Sequence, residues 1–207
     1  MTLIAVLDYG IGNLHSAQKA LQRVGADARL TADPGLVREA AGVVLPGVGN
    51  FGRCMESLER AGLDELAIEC AASGRPFLGV CVGMQMLYEG SEESPEVPGL
   101  GVLKGTIRRL PDGVKRPQMQ WNMLVRRGAS GLLAGLPDPT WVYFVHSFAA
   151  DRDEHCVAVC DYGGPVVAAV EYDGLWATQF HPEKSGASGL AILGNFVTRA
   201  TAAAEAA

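Results

Sequence analysis

The chain lacks any long segment rich in lysine and arginine. Its 17 basic residues are outnumbered by 23 acidic ones, and the formal net charge is −6. Because nucleic-acid binding needs clustered positive charge, this balance argues against a nucleic-acid partner. We therefore expect a small-molecule substrate, a protein partner, or both.

Long hydrophobic runs are also missing. The first seven residues have no basic region and are followed at once by Asp8, so they are typical of a strand and not of a signal peptide. No apolar run approaches the roughly 20 residues that cross a bilayer. We expect no membrane association.

Cysteines are few, and their spacing matches no known disulfide or metal-binding pattern. The five lie at positions 54, 70, 81, 156 and 160, without C-x-x-C or Cys/His metal spacing. An odd number without such spacing disfavours a disulfide framework and a metal site, and predicts a reducing cytoplasmic environment. We expect no cofactor. Four are expected to be small buried apolar side chains, and Cys81 is the exception.

Hydrophobic residues make up 48% of the 207 residues, enough for the core of a single domain spanning 1–207. In the first half, short apolar runs (3–7, 42–45 and 76–80) alternate with helical patterns (14–24 and 58–70, the latter broken near Gly62). Such alternation predicts a parallel sheet covered on both faces by helices.

The second half consists of short predicted strands. They cover 102–108, 119–125, 141–145, 157–160, 166–172 and 175–179, with hairpin signals at Gly163-Gly164 and Asp173-Gly174. A last helix begins near Ser188 and fades into an alanine-rich tail. We predict an α/β fold: an open, mostly parallel central sheet flanked by helices, extended by antiparallel strands.

The segment Gly79-Val80-Cys81-Val82-Gly83 has the G-x-nucleophile-x-G pattern between a predicted strand and a helix. Glycines on both sides allow a tight turn, and a helix start favours the thiolate. The alternative is an inert buried cysteine at a glycine-rich strand end. The pattern and its context together favour Cys81 as a nucleophile.

A cysteine nucleophile needs a base that is oriented by a third group. His181 follows the predicted strand 175–179, and Glu183 is close enough to hold one imidazole nitrogen. Alone, this tripeptide is typical of a surface turn. Together with the turn at Cys81 it predicts a Cys81-His181-Glu183 triad.

The reaction also needs hydrogen-bond donors for an oxyanion. One is the backbone N–H of Val82, the residue after the nucleophile. The second is expected from the loop Gly47-Val48-Gly49, which follows a predicted strand; an ordinary strand-ending turn is the alternative.

These motifs resemble the class I glutamine amidotransferases, which use a Cys-His-Glu triad. Several further segments are similar to the glutaminase-subunit family of imidazole glycerol phosphate synthase. They span almost the whole chain: 8–16 (opening with D-Y-G-I-G-N-L), 45–49, 79–85, 143–147 and 177–186 (containing F-H-P-E-K-S-G).

The resemblance implies a chain that releases ammonia from glutamine for a (β/α)₈-barrel cyclase subunit, its partner in a heterodimer of histidine biosynthesis. It implies that the substrate is held by Gln85, Glu93, His146 and Ser147. It also implies that five residues lie toward the partner interface and ammonia gate: Asn13, Trp121, Asn122, Tyr143 and Lys184.

Residues outside the triad have simpler readings too. His146 alone is typical of a core histidine, Lys184 of a solvated charge, and Trp121 of a core residue.

One segment departs from the family pattern P-H-M-G-W-N: it reads Pro117-Gln118-Met119-Gln120-Trp121-Asn122. Gln118 and Gln120 leave the geometry of the predicted interface open.

Three rival functions remain. The nearest is the glutaminase of another pathway, such as anthranilate, aminodeoxychorismate or pyridoxal phosphate synthesis, which the opening motif 8–16 disfavours. A stand-alone hydrolase of γ-glutamyl peptides would need no partner. A non-catalytic binding module would be expected to lack an intact triad.

Overall fold

The computed structural model describes residues 1–150 and 154–206. The first half of the chain contains, in order, β1 (Leu3–Leu7), α1 (Leu14–Arg23), β2 (Asp27–Thr31), α2 (Pro34–Glu39), β3 (Gly42–Gly47), α3 (Phe51–Arg60), α4 (Asp64–Ala72), β4 (Phe77–Cys81) and α5 (Val82–Met86). The second half contains β5 (Gly90–Ser91), β6 (Thr106–Arg109), β7 (Gln118–Arg126), β8 (Thr140–His146), β9 (Phe148–Ala150), β10 (Cys156–Asp161), β11 (Pro165–Tyr172), β12 (Leu175–Thr178), a 3₁₀ turn (Pro182–Lys184) and α6 (Gly186–Glu205).

Within these ranges, nine strands form one sheet in the order β2-β1-β3-β4-β12-β11-β10-β7-β8. The five strands from β2 to β12 are parallel, and the remaining four continue the sheet antiparallel. The predicted α/β class with antiparallel extra strands is confirmed. None of the helices described has the length and hydrophobicity that crossing a bilayer requires.

Several elements differ from the sequence prediction. The edge strand β2 and the six-residue helix α2 were not predicted, nor was a small second sheet of β5, β6 and β9. The strand expected at 102–108 begins only at Thr106, since Gly105 has φ +107° and interrupts an extended chain. The expectation that the last helix fades into the alanine tail was wrong: α6 continues to Glu205, because alanine is the strongest helix former.

The centre of the sheet explains the uniform apolar runs of the first half. Every residue of β3 and β4 is buried, as expected for parallel strands covered on both faces. In the register of these strands, Gly47 pairs with Cys81 on one side of β4, and Val80 pairs with Thr178 on the other. The carboxyl ends of β3, β4 and β12 therefore meet, at the edge where open α/β sheets bind ligands.

Candidate active site

Cys81 occupies a strained turn between β4 and α5. Its backbone has φ +55° and ψ −112°, a conformation that residues with a Cβ atom seldom adopt. The residue is only 3% exposed. As the sequence predicted, the chain reverses sharply at this cysteine and holds its side chain at the carboxyl edge of the sheet.

The glycines around the turn are needed for close backbone approaches. A Cβ atom on Gly83 would lie 1.9 Å from the carbonyl oxygen of Leu45, and one on Gly47 would lie 2.6 Å from the backbone nitrogen of Gly83. A Cβ on Gly79 would meet the Cα of Met84 at 3.1 Å. The ends of β3 and β4 can pack against the start of α5 only with glycine at these positions.

His181 and Glu183 form a buried pair beside the end of β12. Nδ1 of His181 lies 2.8 Å from Oε1 of Glu183, and the two side chains are 2% and 4% exposed. The side-chain amide of Asn13 donates to the same carboxylate oxygen at 3.3 Å. The hydroxyl of Ser185 donates to the His181 carbonyl and accepts from the backbone N–H of Tyr143, which ties the 3₁₀ turn to β8.

The electrostatics of the pair favour its charged form. Burial disfavours the imidazolium, but the Cys81 sulfur in its thiolate form and the Glu183 carboxylate outweigh this effect and raise the pKa of His181 to about 9. Burial likewise disfavours the carboxylate of Glu183, yet its hydrogen bond to His181 leaves the pKa lowered. Nε2 of His181 is buried, without a hydrogen-bond partner in the described part of the chain. This nitrogen is therefore available to a reacting group.

A cavity of about 290 Å³ opens onto Cys81 and His181. This volume is at the lower end of the range for ligand sites and suits a small substrate. The cavity brings together ten of the residues predicted for the site: Val48, Gly49, Cys81, Val82, Gln85, Glu93, His146, Ser147, His181 and Lys184. Pro117, Val145 and Phe148 also line it, and were not predicted.

Three of the residues predicted to hold substrate are themselves held by hydrogen bonds. The side-chain nitrogen of Gln85 donates to the Phe148 carbonyl at 2.8 Å. Glu93 accepts from the backbone N–H of Phe51 at 2.7 Å. Nδ1 of His146 lies 2.9 Å from the same Phe148 carbonyl. These contacts fix the side chains before any ligand is bound.

Gln118 lies beneath the cavity. It is fully buried, with its side-chain amide 2.9 Å from Nε2 of His146 and 3.9 Å from the sulfur of Cys160. Burial lowers the pKa of His146 to about 4, so its ring is neutral at pH 7, with the proton on Nδ1 toward the Phe148 carbonyl. The structure places the amide oxygen of Gln118 toward Nε2 and its NH₂ group toward Cys160; exchanging these two amide atoms would give Nε2 of this tautomer a donor. Gln120, in contrast, is exposed.

Side-chain donors hold the glycine loop on both sides of the Gly47-Val48 peptide. The Tyr9 hydroxyl donates to the carbonyl of Pro46, and the Cys54 thiol donates to that of Val48 at 3.3 Å. Burial raises the pKa of the Tyr9 hydroxyl and raises that of the Cys54 thiol to about 11, so both keep their protons. The peptides flanking Gly47-Val48 are thus fixed by groups below the loop.

The residues predicted to lie toward a partner divide into two sets. Trp121 is 48% exposed and packs edge-on against Tyr143, with the ring centroids 6.1 Å apart. Lys184 is exposed at the rim of the cavity. Asn13 instead contacts Glu183, and the side chain of Asn122 donates to the carbonyl of Asp161 at 2.9 Å. Both asparagines therefore have roles within the chain.

Gln179 was not predicted from the sequence. This buried residue follows β12, and its side-chain nitrogen lies 3.8 Å from the sulfur of Cys81. The available signal was a glutamine at the end of an otherwise apolar strand, two residues before His181. A polar side chain at such a position must find partners, and one of these is the sulfur.

Comparison with known proteins identifies the family. The family model for class-I glutamine amidotransferases matches residues 5–200, so the chain belongs to that family and is a glutamine amidotransferase. The subunit named "Imidazole glycerol phosphate synthase subunit HisH" from Symbiobacterium thermophilum is 45% identical over 95% of this chain and 93% of its own length. The subunit of the same name from Methanothermobacter thermautotrophicus is 48% identical over 94% of this chain and 98% of its own length.

Solved structures show the same fold at lower identity. A crystal structure titled as a glutamine amidotransferase superposes with a TM-score of 0.75 at 21% identity, covering 96% of this chain and 98% of its own. A structure titled as a putative GMP synthase subunit from Thermoplasma acidophilum gives the same TM-score at 20% identity, covering 100% of this chain and 97% of its own. These likenesses support the fold alone.

Proposed function

We propose that this chain is the glutaminase subunit of an imidazole glycerol phosphate synthase in the cytoplasm. It hydrolyses glutamine to glutamate and ammonia at Cys81, and supplies the ammonia to a (β/α)₈-barrel cyclase subunit. That subunit uses it to form imidazole glycerol phosphate and aminoimidazole carboxamide ribotide in histidine biosynthesis. The near full-length similarity to two subunits that carry the synthase name supports the pathway.

The first chemical step is attack by the Cys81 thiolate on the side-chain carboxamide of glutamine. A C–S bond forms, and the carbonyl oxygen takes the negative charge of the tetrahedral intermediate. Because the pKa of His181 is raised to about 9, its imidazolium already carries the proton that the leaving nitrogen needs. The C–N bond then breaks, releasing ammonia and leaving a γ-glutamyl thioester.

The second step reverses the roles. His181, now neutral, takes a proton from a water molecule that attacks the thioester carbonyl. The C–S bond breaks, and glutamate and the Cys81 thiolate are released. Glu183 holds the imidazole orientation through Nδ1 and stabilises its charge in both steps.

The oxyanion is stabilised by backbone N–H groups. Val82 supplies one as the residue after the nucleophile, and the Gly47–Gly49 loop supplies the other. The Gly47-Val48 peptide lies between two peptides that Tyr9 and Cys54 hold in place. Rotation of this one peptide, with its neighbours fixed, would switch the second donor on or off and couple the site to a liganded partner.

The amino-acid end of glutamine is held by other residues that line the same cavity as Cys81. Glu93 provides a carboxylate for the substrate ammonium group, while Gln85, His146 and Ser147 provide the surrounding wall. The two amide hydrogens of Gln85 are both donated within the protein, so this residue offers the substrate only its oxygen.

An exposed apolar face supports a protein partner. Met119, Trp121, Met123 and Val125 alternate along β7, and Trp141 stands opposite Met123 on β8. Each is between 38% and 61% exposed, and we call this set the β7–β8 apolar face. Contiguous apolar surface of this kind marks protein interaction sites. Met119 pairs with Val145, which lines the cavity, and Trp121 is the next member of the face and lies against Gly186.

The observation that carries the proposal is the meeting of Cys81, His181 and the loop residues Val48 and Gly49 at one small cavity. The test is glutamate release by the purified chain, alone and with a barrel cyclase plus its nucleotide ligand. We expect near-background activity alone and a rise of at least roughly tenfold with the liganded partner. Fast turnover by the isolated chain would instead favour a free γ-glutamyl hydrolase.

A further inference from the structure

A chain of buried hydrogen bonds ends on the sulfur of Cys81. The Phe148 carbonyl accepts from the side-chain nitrogen of Gln85 at 2.8 Å. The same nitrogen donates to Oε1 of Gln179 at 3.0 Å, and Nε2 of Gln179 lies 3.8 Å from the Cys81 sulfur. Gln85 and Gln179 are 3% and 0% exposed, so water cannot readily replace these partners.

The Phe148 carbonyl fixes the direction of the whole chain. A backbone carbonyl can only accept, so the atom of Gln85 that faces it must be the NH₂ group. That NH₂ group uses its second hydrogen on Gln179, so the atom of Gln179 that faces Gln85 must be the oxygen. The remaining amide atom, which faces the Cys81 sulfur, must therefore be an NH₂ donor.

A donor at this position favours the reactive form of the cysteine. A thiolate accepts hydrogen bonds better than a neutral thiol, so an N–H aimed at sulfur lowers the free energy of the charged form. The helix that follows Cys81 has only five residues, which limits the contribution of its dipole. Gln179 adds a side-chain donor that the family motif around Cys81 does not contain.

We propose that Gln179 is a catalytic residue whose amide group stabilises the Cys81 thiolate, and that Gln85 orients it by way of the Phe148 carbonyl. The proposal rests on the proposed function, in which Cys81 is the nucleophile. It gives Gln85 a second role, because this residue lines the cavity and also sets the polarity of the amide that touches sulfur.

The test measures the pH dependence of Cys81 alkylation by iodoacetamide, localised to Cys81 by peptide mass spectrometry. Gln179→Met keeps the side-chain length and removes the donor, and we expect its alkylation midpoint to rise by roughly one pH unit. Gln179→Glu keeps the acceptor for Gln85 and places a carboxylate against the sulfur, so its midpoint should rise at least as far. Gln120→Met, an exposed glutamine on β7, is the matched control and should leave the midpoint unchanged.

A purely packing role for Gln179 would lower thermal stability without moving the midpoint, and that result would overturn the proposal. The wild-type protein gives a test that needs no variant. The side-chain amide resonances of Gln179 should shift with pH at the midpoint of Cys81 alkylation; resonances that do not follow that midpoint also reject the proposal. Labelling of wild-type Cys81 by 6-diazo-5-oxonorleucine tests the glutaminase function separately, since its failure would reject that function and not the amide–sulfur contact.

Discussion

Nδ1 of His181 lies 2.8 Å from Oε1 of Glu183, and both side chains are almost completely buried. Glu183→Gln keeps the shape of this contact and removes its charge. Because the carboxylate helps to raise the pKa of His181 to about 9, the variant should show a lower His181 pKa by NMR titration of the ring. Glutamine hydrolysis should fall by roughly 10- to 1,000-fold, and by less than in His181→Ala. Equal losses in the two variants would contradict an orienting role for Glu183.

The same pair makes stability depend on pH. The pKa of His181 is raised in the folded protein, so protonated His181 stabilises the fold. This contribution to the free energy of unfolding is fully present below the unfolded pKa of about 6.5 and is lost as pH rises through about 9. The loss of unfolding free energy caused by Glu183→Gln should therefore be roughly 1–2 kcal/mol near pH 6 and should shrink toward pH 9. Urea titrations of both proteins across this range measure it. A difference that grows with pH would contradict the charged pair.

The strained backbone of Cys81 predicts separate effects on activity and stability. Cys81→Ser and Cys81→Ala should both fold and lose glutamine hydrolysis by at least roughly 1,000-fold, since the nucleophile is gone. Cys81→Gly should be more stable than Cys81→Ala by roughly 1 kcal/mol, because glycine adopts φ +55° and ψ −112° with less strain. Urea unfolding compares these two variants. An alanine variant as stable as the glycine one would mean that the turn is unstrained.

Glu93 should affect substrate binding more than the chemical steps. We expect Glu93→Gln to raise the KM for glutamine by roughly tenfold or more with a smaller change in kcat, because a carboxylate facing the substrate ammonium group is lost. The measurement is steady-state glutamate release with the liganded partner. Glu96→Gln is the matched control, since Glu96 is exposed nearby and lies outside the cavity. A fall in kcat at constant KM would place Glu93 in the chemistry instead.

The sequence predicted the centre of the fold and of the site because both depend on local patterns. The buried runs 3–7 and 76–80 match β1 and β4 to within a residue, since strands covered on both faces need uniformly apolar residues. The turn at Cys81 was predictable because Gly79 and Gly83 are needed for close approach of neighbouring backbones. His181 followed from its place after a strand and its spacing from Glu183.

Other features depend on contacts between distant segments. The two-residue strand β5 exists because β6 pairs with it, and its own sequence carries no strand signal. Gln179 reaches the sulfur only because β12 lies beside β4, a neighbour relationship that sequence spacing does not reveal. Gln118 was a departure from the family pattern at a predicted interface, whereas the structure places its side chain beneath the cavity, against His146.

The β7–β8 apolar face predicts how the partner binds. Trp121→Ala removes a half-exposed side chain that packs against Tyr143, so the unfolding free energy of the isolated chain should fall by roughly 1 kcal/mol. If Trp121 is buried at the interface, the same change should weaken cyclase binding by roughly 30-fold, as for a central aromatic residue. Tyr172→Ala, a similarly exposed aromatic residue on β11, is the control and should leave binding unchanged. Calorimetric titration of the cyclase into each variant compares the affinities, and equal affinities for Trp121→Ala and the wild type would exclude Trp121 from the interface.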